Sequence, residues 1–144
     1  MDHVQNKRKW GNDMSFVKHE IKSERRMQLI NITDIVKKDL DIQEGICVVY
    51  TPHTTCGISV NENADPSVCN DMIYGYEKVF PTNDDFYHHM EGNSAAHMKS
   101  SAFGCNQTFI VHEGKLILGI WQGIYFCEFD GPRNRSFYVK TIEG

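Results

Sequence analysis

The chain has 144 residues, of which 40% are hydrophobic and 24% charged, and its formal net charge is −4. That size supports one domain whose core needs no metal or disulfide staple. The acidic balance argues against a surface that coats nucleic acid, and no apolar run approaches the length that spans a bilayer, so neither is an expected partner.

The five cysteines Cys47, Cys56, Cys69, Cys105 and Cys127 are odd in number and form no CxxC pair. This pattern fits free thiols in a reducing cytoplasm. Residues 1–13 hold Lys7-Arg8-Lys9 and a lone Trp10 without a periodic apolar face. They lack the apolar stretch of a secretory signal and are expected to form a disordered leader, with the domain occupying residues 14–144.

Within that domain, Phe16 to Lys22 and Arg26 to Ile32 read as weak strands. Ile32, Ile35, Val36 and Leu40 recur at helical spacing, with Thr33 as N-cap and Asp34 in the first turn. The continuous apolar run Ile46 to Tyr50 predicts a buried strand. Cys56 to Val60 is expected beside it, leaving His53 in the bend at Pro52. Asp65-Pro66 predicts a helix start, followed by a stripe of Val68, Met72, Tyr76 and Val79. Asn93 or Ser94 opens another helix, with Ala95, Met98 and Ala102 on one face and Gly104 as its stop.

The last third reads as strands: Thr108 to Val111, Lys115 to Trp121 after a Glu113-Gly114 turn, Ile124 to Phe129, and Arg135 to Ile142 after Asp130-Gly131-Pro132. Strands and helices mix without a βαβ rhythm. The expected fold is therefore α+β, a single compact domain with a mixed or largely antiparallel sheet and two to three helices.

The chemistry-bearing side chains cluster in polar stretches. His53-Thr54-Thr55 precedes Asn61-Glu62-Asn63-Ala64-Asp65-Pro66, and His89-Met90-Glu91-Gly92-Asn93 precedes His97. His53, His89 and His97 stand in loops or helix starts rather than on apolar stripes, and three imidazoles plus water is a common catalytic metal set. Their spacing alone does not bring them together. For any single histidine a surface or hydrogen-bonded role is the commoner one, and His3, His19, His88 and His112 are assigned to it, with the choice between His88 and His89 open. Among the acids, Asp65 is explained by helix capping. Glu62 has no such duty and weighs more as a ligand, an orienting group or a general base. Arg133 and Arg135 flank a tight turn, suited to binding phosphate or to ordinary ion pairs. A Cys56–His53 nucleophile is the weaker reading, because no oxyanion hole or third orienting group is signalled.

Taken in order, His53-Thr54-Thr55, Asn61-Glu62-Asn63-Ala64-Asp65-Pro66, His89-Met90-Glu91-Gly92-Asn93 with Ala96-His97, Leu118-Gly119-Ile120-Trp121-Gln122-Gly123 and Glu128-Phe129-Asp130-Gly131-Pro132-Arg133-Asn134-Arg135 closely resemble the YjbQ family. The resemblance runs from about Met14 to the C-terminus, and Ile120 stands where the family commonly has threonine. It implies an α+β subunit assembling as a homotrimer. It also implies a divalent metal of the zinc or magnesium class at His53, His89 and His97, with Glu62 and Gln122 nearby as catalytic groups and Arg133 and Arg135 on phosphate. The implied activity is a weak or accessory thiamine-phosphate synthase, a transferase of small phosphorylated substrates. The alternatives are a metal-dependent hydrolase and a non-catalytic trimeric binding protein for an anionic metabolite.

Overall fold

The computed structural model describes residues 5–10 and 14–144. Its nine strands form two sheets, and every strand pair among the described residues is antiparallel. The larger sheet contains β1 (Gln5–Trp10), β2 (Met14–Lys22), β9 (Asn134–Glu143), β4 (Gly45–Tyr50), β6 (Asn106–His112) and β7 (Lys115–Leu116), in that order. The smaller sheet orders β3 (Gln28–Asn31), β8 (Gln122–Glu128) and β5 (Cys56–Glu62). Three helices complete the described residues: α1 (Thr33–Lys38), α2 (Pro66–Val79) and α3 (Ser94–Phe103).

Alternation along the strands builds the main core. Cys47 and Val49 of β4, Phe109 and Val111 of β6 and Phe137 and Val139 of β9 turn inward at every second position. They meet Ile58 of β5, Ile124 and Phe126 of β8, and Ile32 and Val36 at α1. The other face of the small sheet, with Tyr125 and Cys127, packs on Ala96 and Phe103 of α3 and Cys69 of α2. The domain is thus layered as large sheet, small sheet and helices, and β8 is buried on both faces along Gly123 to Glu128.

Several local expectations change. Gln5–Trp10, expected outside the fold, pairs with β2 in the register Gln5↔His19 to Trp10↔Met14. Residues 1–4 and 11–13 lie outside the described residues. β5 does not neighbour β4: the bend at residues 51–55 carries the chain from one sheet to the other, and β5 pairs with β8. The strand expected over Lys115 to Trp121 ends at Leu116, and β8 begins at Gln122. Asp65 caps α2 as expected, its carboxylate accepting from the Ser67 amide at 2.9 Å. Thr33 is the first helical residue rather than the cap, and its hydroxyl accepts from the Ile124 amide at 2.8 Å.

On α3 the inward face is Ala95, Ala96, Lys99 and Ser100 rather than Ala95, Met98 and Ala102. The helix lies so close to β5 that a Cβ on Gly57 would meet Phe103 Cβ at 2.9 Å. Lys99 is 2% exposed, yet its Nζ donates to Glu77 Oε2 of α2 at 2.6 Å. Deleting the two partners is unequal in cost. Glu77 is 38% exposed and can rehydrate, whereas Lys99 cannot. Glu77→Gln is expected to destabilise by about 2 kcal/mol or more and Lys99→Met by about 1 kcal/mol or less. Urea unfolding of both variants measures the order, and the reverse order would refute it.

Candidate functional site

The end of β4 delivers the His53 bend. Thr51 is buried and pinned twice: its amide donates to the Cys105 carbonyl at 2.8 Å, and its hydroxyl donates to the Ser136 carbonyl at 3.1 Å. His53 is half-buried, and its Nε2 accepts the Ser136 amide at 2.9 Å. Because that amide donates, a neutral ring carries its proton on Nδ1. Burial pushes the imidazole pKa down, and the Arg135 guanidinium adds to this more than Glu128 opposes it, which favours the neutral form.

His53 and His97 line one cavity of about 540 Å³, together with Thr54, Ser101 and Cys105. His97, one turn into α3, sets its ring edge-on against His89, with centroids 5.5 Å apart. The chain thus brings His89 to His97 and puts His97 and His53 on the same cavity. Among the described residues no three His, Cys, Asp or Glu side chains are grouped closely enough to hold a metal. The Nε2 lone pair of His53 is also taken by the Ser136 amide.

Beneath His53 lies a buried polar network. Arg135 donates from Nε and Nη2 to the two Glu128 oxygens at 2.9 and 2.6 Å, and from Nη2 to Thr55 Oγ1 at 2.7 Å. Ser23 Oγ and the Asp130 amide complete the Glu128 carboxylate at 2.6 and 3.1 Å. Arg135, expected on phosphate, is therefore 8% exposed and neutralised. Arg133 is exposed but folds back on Asp130, with contacts at 2.9 and 3.0 Å to its carbonyl and carboxylate. Both arginines spend their hydrogen bonds inside the chain. Thr55 of the His-Thr-Thr motif serves this network, and only Thr54 reaches the cavity. Cys56 is buried, and burial followed by the nearby Glu128 charge raises its thiol pKa, so it makes a poor nucleophile.

Glu62 and Gln122 lie elsewhere. They face each other at the far end of the β5–β8 pair, whose near end is Cys56 opposite Glu128. Six residue steps of strand put them roughly 20 Å away. The reason is simple: β5 is extended between the His53 bend and Glu62. Gln122 accepts the Gly119 amide at 2.7 Å, beside the exposed Ile120 and Trp121, and lines a second cavity of about 770 Å³ with Asn63, Thr33 and Leu118.

Sequence reasoning missed Thr51 and Ser136, whose roles depend on the turn between sheets. His19 takes the hydrogen-bonded role assigned to it. That residue is fully buried, with Nε2 on Asp39 Oδ2 at 2.5 Å.

The Glu128 carboxylate makes an acid-sensitive contribution. Burial raises its pKa, but hydrogen bonds from Arg135, Ser23 and the Asp130 amide outweigh burial and hold it below the ordinary value of 4.5. The folded state therefore binds fewer protons at this group than the unfolded chain. Its stabilisation is full above the unfolded pKa and is lost as pH falls through the lower folded value. Glu128→Gln is expected to cost about 3 kcal/mol at neutral pH and to flatten the stability profile below pH about 4.5. Denaturant midpoints of both proteins across acidic pH test this; parallel profiles would exclude the assignment.

Comparison with known proteins follows the whole domain. A model of the family described as UPF0047 protein YjbQ-like matches residues 17–144. The UPF0047 protein of Methanocaldococcus jannaschii is 52% identical over 128 residues, covering 87% of this chain and 92% of that protein. YugU of Bacillus subtilis is 52% identical over 126 residues, covering 85% and 96%. A crystal structure of a YjbQ/UPF0047 family protein from Clostridium acetobutylicum superposes with a TM-score of 0.85 at 51% identity, covering 87% of this chain and 98% of that one. A YbjQ-like protein from Sulfolobus solfataricus reaches a TM-score of 0.86 at 29% identity, covering 90% and 96%. The domain with the His53–His97 cavity belongs to the YjbQ-like UPF0047 family.

Proposed function

We propose that this chain is an enzyme that binds small phosphorylated substrates at the His53–His97 cavity, with weak or accessory transferase activity of the thiamine-phosphate synthase type. The observation that carries this reading is a neutral, oriented imidazole sharing one cavity with a second histidine that touches a third. In that reaction a pyrimidine-methyl diphosphate is joined to a thiazole phosphate and pyrophosphate leaves, so negative charge grows on the departing group. Catalysis then depends on positive charge and hydrogen-bond donors fixed beforehand. His53 contributes a ring N–H without adding charge, and Thr54 and Ser101 add hydroxyls to the cavity wall.

A divalent cation belongs to the same reading, held by His89 and His97, with His53 as a third ligand once its ring leaves the Ser136 amide. When bound, such a cation polarises phosphate oxygens. Assembly as a homotrimer completes the proposal. The outer face of the large sheet leaves Ile46, Tyr50, Ile110 and Ile142 exposed, with Ile46 opposite both Ile110 and Ile142. An apolar face of this kind favours association. A neighbouring copy also offers a way for Glu62 and Gln122 to meet a histidine cavity that they do not reach within one chain.

The test measures metal content and product in the purified full chain, His97→Ala and His53→Ala. Expected outcomes are loss of metal in His97→Ala and pyrophosphate release that requires both substrate halves. Unchanged metal in His97→Ala would remove the metal assignment. Water-dependent turnover of one phosphorylated compound would replace the transferase by a hydrolase, and ligand binding without product would leave a binding protein.

A further inference from the structure

The two arginines that flank the Gly131-Pro132 turn are ion-paired within the chain, Arg133 to Asp130 and Arg135 to Glu128. On the other side of His53 another cavity, of about 500 Å³, opens on the outer face of the large sheet. Its wall follows from strand alternation. Lys18, Glu20 and Lys22 occupy every second position of β2 and share one face, and the register sets Glu20 against Ser136 and Lys22 against Asn134 of β9. His53 forms the rim, held to β9 by its bond from the Ser136 amide.

We propose that this cavity binds the phosphate group of a small ligand through Lys18, Lys22 and Asn134. The proposal rests on the reading of the His53 region as a substrate site and gives that site its anion anchor.

Four observations support it. Neither lysine forms an ion pair with a carboxylate among the described residues, whereas Lys99, Arg133 and Arg135 all do. Lys18 is half-buried rather than fully solvated, so its charge is less screened than that of an exposed lysine. The chain as a whole is acidic, at −4, so two unneutralised ammonium groups facing one concavity form a local positive site against an opposing background. Glu20 is the one acid in the wall, and its charge subtracts from the attraction. The volume lies within the range of small-molecule pockets and exceeds what a bare phosphate needs, leaving room for the group that carries it.

The test is phosphate and pyrophosphate binding by calorimetry to the full chain, after removal of bound metal with a chelator and at two salt concentrations. Lys18→Gln with Lys22→Gln is expected to weaken binding by about tenfold or more, and Glu20→Gln to tighten it several-fold, with the affinity falling as salt rises. Arg133→Ala serves as control and is expected to bind as the parent does. The substituted side chains lie on the outer face, and circular dichroism of each variant checks that the sheet is retained. Binding unchanged in the double lysine variant would overturn the proposal. So would binding that vanishes on chelation, because the anion would then be held by a metal. Acetate competing as well as phosphate at equal concentration would overturn the phosphate assignment in favour of a general carboxylate site. Phosphate binding that survives chelation, together with metal that is lost from unchelated His97→Ala but kept in the double lysine variant, separates the lysine cavity from the histidine reading.

Discussion

The ion pair between Glu128 and Arg135 joins the two sheets of this domain. Glu128 ends β8 of the small sheet, and Arg135 opens β9 of the large one, so their bidentate bond clamps the two sheets at one edge. Removing two charges from water costs several kcal/mol, and the pair is tolerable only because its hydrogen-bonding positions are filled. Ser23 and the Asp130 amide fill the carboxylate, and Thr55 takes the guanidinium. The residues of the clamp bracket His53 in space: Thr55 follows it by two positions, and Ser136, which follows Arg135, holds its ring. The geometry of the candidate site is therefore inherited from a structural pair rather than built by the histidines.

That dependence explains the division of labour among polar side chains. Motif residues that look catalytic in one dimension, Thr55, Arg133 and Arg135, are occupied in building the corner. Those that face open space are His53, Thr54 and His97 on one side and Lys18 and Lys22 on the other. A neutral imidazole between the two cavities can serve either without repelling a cation or an ammonium group.

Much of the fold was legible where local chemistry determines structure. Asp65-Pro66 set the start of α2, Glu113-Gly114 made its turn, and the apolar run from Ile46 to Tyr50 formed a strand, although one buried on a single face, with Ile46 and Tyr50 exposed. What failed depended on partners distant in sequence. The pairing of β5 with β8 rather than β4 follows from the turn between sheets, to which hydrophobic alternation is blind. Lys99 was unreadable as a buried residue because its partner, Glu77, sits on another helix. The histidine group was legible as a set of suspects, and in the structure His97 shares one cavity with His53 and meets the His89 ring. Glu62 and Gln122, which the resemblance set beside the histidines, face each other at the far end of the β5–β8 pair, because an extended strand moves its two ends apart faster than any other element.

β8 shows what such distant contacts provide. A strand with one wet face has its register fixed by contrast, because a slip of one residue would turn its apolar side to water. β8 is apolar and buried on both faces, so a slip would exchange one greasy surface for another and carry little penalty from burial alone. Its alignment must come from groups that tolerate a single position: Glu128 at one end, locked to Arg135, and the Ile124 amide near the other, taken by the Thr33 hydroxyl. In this strand hydrophobicity provides adhesion, and two polar contacts provide the address.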